Sequence, residues 1–110
     1  MKHRPQRVGS LIQEKLAEIM VREMEFSGAL VTITGVNVAK DLENAAVSFS
    51  VFPSDKSEKV LGILNKFQGR LQYLLMQKIS IKPMPRIYFR IDYGPENAVS
   101  VEKALLEHSD

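Results

Sequence analysis

The 110 residues predict an α+β fold, a two-layer arrangement in which helices cover one face of a three-stranded sheet. Three observations carry this. A helical stripe of Val8, Ile12, Leu16 and Ile19 opens the chain. Two alternating apolar segments follow, joined by a short polar connection. Residues 57–93 then read as helix, glycine break, second helix and amphipathic strand. The predicted order is helix–strand–strand–helix–helix–strand.

The first helix is expected from Pro5, since proline's missing N–H is no loss at a first helical position. Its apolar residues recur at spacings of four, four and three, while Gln13, Glu14, Glu18 and Arg22 occupy the other faces. Ser27-Gly28 is the expected stop, because glycine takes the left-handed conformation that closes helices.

In ALVTITGVNVAK, Val31 and Ile33 alternate with threonines, and the parity then shifts to Val36 and Val38. A one-residue slip would turn the later side chains to the wrong face, so a β-bulge is expected near Gly35. Asp41-Leu42-Glu43-Asn44 makes the polar connection. The second strand, 46–52, turns Val47, Phe49 and Val51 inward, and antiparallel pairing with the first is expected from the short link. Pro53 stops it, and Ser54-Asp55 is the expected cap of the next helix.

That helix, from about Lys56, puts Val60, Ile63, Leu64 and Phe67 on one stripe. Gly69 interrupts, and Leu71, Leu74 and Leu75 resume the stripe on a second helix. Lys78 continues it by spacing, so either the helix ends first or the lysine snorkels. Pro83 and Pro85 impose an extended passage into RIYFRIDY. There Ile87, Phe89, Ile91 and Tyr93 share one face, and Arg86, Tyr88, Arg90 and Asp92 the other. Glu96 to Glu107 is expected to form a last short helix with Ala98, Val101 and Leu105 inward.

Charge is unevenly distributed. The whole chain carries +2, yet residues 56–93 hold eight of the fifteen Lys and Arg residues against Glu58 and Asp92, a local balance of +6. From Asp92 onward five acids face only Lys103. One domain over 1–110 is expected, with residues 1–4 a flexible basic arm and 95–110 an acidic helix and tail. Zero cysteines exclude disulfides and thiolate chemistry, and no run is long and apolar enough for a signal peptide or a membrane span. A cytoplasmic protein without cofactor or metal is the expectation.

Two helices joined by a tight glycine turn, within this order, match the core of a KH-type RNA-binding module. In that module a GXXG loop lets phosphates approach the backbone. Here the loop reads Lys66-Phe67-Gln68-Gly69-Arg70, without the first glycine. Four segments carry a closer resemblance: RPQRVGSLIQEKLAEIM, VTITGVNVAKDLENAAVSFSVF, LNKFQGRLQYLLMQKI and PRIYFRIDYG. In order and spacing they resemble the ribosome-binding factor A family. The family's Ala-x-Gly kink replaces GXXG, and this chain keeps Gly69 but has Phe67 where alanine is usual.

The resemblance implies a type II KH fold and a non-enzymatic factor that binds immature small (30S) ribosomal subunits near the 5′-terminal helix of 16S rRNA. It implies support of late maturation and 5′-end processing of that rRNA, above all in the cold, and a position at the decoding centre that bars premature initiation. A monomer is expected, with a ribosome-maturation GTPase as partner in release. The residues expected to meet RNA are Arg4, Arg7, Lys59, Lys66, Gly69, Arg70, Lys78, Lys82, Arg86 and Arg90. Arg86-Tyr88-Arg90 suits base stacking beside phosphate contacts, and equally suits the wet face of a one-sided sheet. Two other readings stand beside RNA binding. A small nuclease would need converging acids or histidines, but His3 and His108 lie at opposite ends and the acids show no metal-ligand spacing. A protein-contact module would use Tyr73 and Met76, which the spacing turns outward.

Overall fold

The computed structural model describes residues 4–94. The elements are α1 (Arg4–Glu23), β1 (Leu30–Val38), β2 (Asn44–Phe52), a single 3₁₀ turn at Ser54–Lys56, α2 (Ser57–Lys66), α3 (Gln68–Lys78) and β3 (Arg86–Ile91). The sheet order is β1-β2-β3, with β1 antiparallel and β3 parallel to β2. This is the expected α+β order with a mixed sheet. Of the expected arm over residues 1–4 only Arg4 is described, as the first residue of α1, and the expected closing helix of Ala98, Val101 and Leu105 lies outside the described residues.

The bulge falls where the parity shift puts it. Ile33 pairs with Phe49 and Gly35 with Ser48, leaving Thr34 as the extra residue. Val31, Ile33, Val36 and Val38 therefore all oppose core-facing residues of β2, namely Val51, Phe49, Val47 and Ala45. Without that extra residue Val36 and Val38 would turn to water.

The core lies between the sheet and the helices. Ile12 and Leu16 of α1, Val47 and Phe49 of β2, Leu64 of α2, Leu71 and Leu75 of α3, and Ile87 of β3 are all almost completely buried. Each such side chain contributes about 1.5–3 kcal/mol of transfer free energy. Phe49 and Phe89 meet edge to face, with ring centroids 6.4 Å apart. The opposite face of the sheet carries Thr32, Ser48, Ser50, Arg86, Tyr88 and Arg90.

Four local expectations are corrected. α1 ends at Glu23, before Ser27-Gly28, and Gly28 (φ +73°) instead turns the chain into β1. Neither Ser54 nor Asp55 caps α2 through its side chain; the 3₁₀ turn intervenes, and the buried Ser57 hydroxyl donates to the Ser54 carbonyl at 2.7 Å. Phe67 leaves the apolar stripe of α2 and stands 43% exposed, because the helix stops one residue before it. β3 closes at Ile91, leaving Tyr93 outside the strand. Lys78 is the last residue of α3 and reaches out to Glu18 on α1, 3.8 Å away, so the lysine snorkels rather than entering the core.

Candidate nucleic-acid interface

All ten residues expected to meet RNA are exposed. They fall into three groups. The first lies along α1: Arg4 and Arg7 with Lys82 at its start, where the Arg4 guanidinium donates to the Lys82 carbonyl at 3.4 Å, and Lys78 farther along, 3.8 Å from Glu18. Lys59 and Lys66 lie on α2, with Gly69 and Arg70 just beyond the break. Arg86 and Arg90 stand on the open sheet face on either side of Tyr88, itself 49% exposed. Two of the cations have carboxylate neighbours: Arg70 lies 3.7 Å from Glu23, and Lys78 shares Glu18 with Lys15. Such exposed pairs contribute about 0–1 kcal/mol and yield readily to a phosphate.

The break between α2 and α3 is a single residue. Phe67 closes α2 by donating its N–H to the Ile63 carbonyl (3.1 Å), and its own carbonyl accepts the Leu71 N–H (2.9 Å) to open α3. Its backbone (φ −97°, ψ 8°) lies between the helical and extended regions, and that alone redirects the axis. The break was expected at Gly69, but Gly69 is a helical residue of α3. A Cβ there would meet nothing within 4 Å. The fold therefore does not require glycine at this position. Gly69→Ala is expected to raise stability by up to about 1 kcal/mol, read as a higher melting temperature.

Two glutamines outside the expected site residues tie the break to β3. Gln72 accepts the Ile87 N–H at 2.8 Å and donates to the Pro85 carbonyl at 3.0 Å. Gln68 donates to the Ile87 carbonyl at 2.9 Å and to Gln72 at 3.4 Å. Because β3 is an edge strand, its outward backbone groups have no strand partner, and these amides take that place. A sequence signal did exist. Glutamines four apart, flanking the buried Leu71 and Leu75, sit too close to the core to be left to water.

On the open face, Arg90 donates from Nε to the Ser48 hydroxyl at 3.0 Å, which aligns its guanidinium across β2. Beyond it, the Gly94 N–H donated at 2.9 Å holds the Asp92 carboxyl below its usual range, helped by the Thr34 hydroxyl and the Arg90 charge and opposed by desolvation. A depressed folded pKa gives stability above the ordinary carboxylate range that is lost as pH falls through the depressed value. Asp92→Asn is therefore expected to flatten the stability–pH curve below about pH 4, in urea titrations at stepped pH. Tyr73 and Met76 are 59% and 54% exposed on α3, as their spacing predicts. Among the described residues no three acidic or imidazole side chains converge as metal ligands, and no helix is long and apolar enough to cross a membrane.

Comparison with known proteins follows the same outline. A ribosome-binding factor A from Pseudomonas paraeruginosa is 35% identical, covering 94% of this chain and 88% of its own. The solution structure of a Thermotoga maritima protein described as a ribosome binding factor A superposes with a TM-score of 0.68 at 26% identity. It covers 87% of this chain and 93% of the other. A Thermus thermophilus ribosome binding factor A, fitted into a cryo-electron-microscopy map of a 30S complex, superposes with a TM-score of 0.65 at 24% identity. There the coverage is 74% of this chain and 88% of the other. The family model described as ribosome-binding factor A matches residues 4–105. With the family model spanning residues 4–105 and a relative 35% identical over most of both chains, the chain belongs to the ribosome-binding factor A family.

Proposed function

We propose that this chain is a non-enzymatic assembly factor that binds immature small ribosomal subunits through its basic, KH-like helical break and the neighbouring β3. The observation that carries the reading is family membership across residues 4–105, in a chain whose nine basic candidates, from Arg4 to Arg90, all stand exposed. On this reading Lys66 and Arg70 neutralise phosphates, helped by the positive end of the α3 dipole. Arg86 and Arg90 extend the contact along β3, and Arg4, Arg7, Lys78 and Lys82 form its second footing. A further part of the proposal is support of late 16S rRNA maturation, including its 5′ end, as a monomer in the cytoplasm, with a maturation GTPase in release.

Sedimentation of lysate through sucrose gradients at low and moderate salt tests this. The expected result is co-migration with free small subunits and not with translating ribosomes, weakened by salt. Protein remaining at the top of the gradient at both salts, with immature subunits present, would overturn the reading. Gly69→Ala separates fold from function: the added methyl group stands in the open space a phosphate would enter, so binding weakens while stability rises. A protein-contact reading draws on the exposure of Tyr73 and Met76. It predicts that Arg70→Glu abolishes subunit association yet leaves a protein partner bound.

A further inference from the structure

Phe67 is one of the exposed large apolar residues. It is 43% exposed and sits at the single residue where α2 gives way to α3. Its neighbours are Lys66 before it and Arg70 after it, both exposed, and Gly69, whose open side meets nothing within 4 Å. An isolated exposed apolar residue is unremarked on most surfaces. An exposed ring at a helical corner, with Lys66 and Arg70 on either side in the chain and a glycine with open space two residues on, is a different arrangement. The cations attract phosphates, the glycine lets a backbone approach, and the ring then offers a π-face at the height of a base. Duplex RNA cannot use that face, because its bases are already stacked on one another.

We infer that Phe67 stacks on an unpaired RNA base, so that the break selects single-stranded, looped or bulged nucleotides rather than a continuous helix. This rests on the RNA-binding reading above and adds to it the class of nucleotide taken. Lys66 and Arg70 hold the flanking phosphates, and Arg70 exchanges its Glu23 contact (3.7 Å) for one of them.

The chain contains no tryptophan, so Phe67→Trp introduces a sole indole reporter at the break. The probes are protein-free small-subunit rRNA and a blunt RNA duplex with no unpaired nucleotides. Indole emission is expected to be quenched by the rRNA and unchanged by the duplex. Phe67→Ala is expected to weaken rRNA binding on the order of tenfold, while the slope of log K against log salt is retained, since stacking carries no charge. Phe67→Tyr is expected to restore binding. Phe67→Ala should keep a cooperative thermal transition, because the ring lies outside the fully buried core. Parent-like binding by Phe67→Ala, or unperturbed indole emission in the rRNA complex, would overturn base stacking and leave the assembly-factor reading standing. Equal quenching by the duplex would overturn the selection of unpaired bases. Loss of affinity for intact subunits alone, with the indole silent on naked rRNA, would overturn it in favour of a ribosomal protein as the contact. If the parent binds neither rRNA nor small subunits, both readings fall together.

Discussion

Gly9→Ala is expected to destabilise the fold by about 2 kcal/mol, although alanine is the better helix former. Gly9 is buried on α1 where that helix crosses β1, and a Cβ there would lie 2.8 Å from the Val36 carbonyl oxygen and 3.5 Å from a Val38 methyl. The first partner is backbone. Val36 is paired with Val47 on the central strand, just past the bulge, so it cannot give way without disturbing the register of the sheet. The helix must instead lift away from β1, loosening the contacts of the buried Val8 and of Ile12 and Leu16, which are among the most buried side chains of the core. Overpacking of this kind costs about 1–3 kcal/mol, and the helix propensity of alanine returns up to about 1 kcal/mol. In a domain of this size the net loss corresponds to a melting temperature lower by about 10 °C. Gly62→Ala is the control: it lies on the exposed side of α2, a Cβ there meets nothing within 4 Å, and the same substitution is expected to stabilise. A melting temperature for Gly9→Ala equal to or above the parent's would show that α1 does not pack against Val36 as described.

Gly9 also marks where the sequence stopped being legible. The stripe of Val8, Ile12, Leu16 and Ile19 could be read from spacing alone, and all four are buried. Gly9 lies seven residues before Leu16 and so shares its face, but a period identifies a face and not the distance to the element it covers. The strands followed the same logic. Alternation plus the parity shift predicts the bulge, because the requirement that Val31, Ile33, Val36 and Val38 face one way is a sequence property. The placement of the break was different. Glycine suggested Gly69, while the redirected residue is Phe67, and nothing local distinguishes a phenylalanine that ends a helix from one that continues it. What decides is the anchoring of α3 to β3, through residues distant in the chain. The nine basic positions were legible as exposed residues because lysine and arginine seldom lie buried. Their division into three groups was not, since it depends on Arg4 meeting Lys82 and on α3 packing beside α1.

Gln72→Leu is expected to cost about 2–3 kcal/mol, by removing the anchor on which that placement depends. Leucine matches glutamine in bulk and in helix propensity, so the change isolates the amide. Ile87 and Pro85 are both almost completely buried, and in the variant the Ile87 N–H loses its acceptor and the Pro85 carbonyl its donor. Buried backbone groups without partners carry about 1–3 kcal/mol of desolvation penalty each, relieved in part wherever water reaches the sheet edge. The second glutamine covers only part of the loss. Gln68 donates to the Ile87 carbonyl and has no bond to the Ile87 N–H. Urea unfolding would measure the total, and amide hydrogen exchange would locate it: the Ile87 N–H should lose protection ahead of the amides of β2. The same change bears on binding. On the RNA-binding proposal the break is held in place by the fastening of α3 to β3, so Gln72→Leu should also weaken subunit association, without altering any charge. Gln72→Glu sharpens the distinction. Its carboxylate still accepts the Ile87 N–H but opposes the Pro85 carbonyl, so it is expected to lose nearly as much stability as leucine. Parent-like exchange at Ile87 in both variants would mean that the edge of β3 is satisfied by other partners and that the break is held by core packing alone.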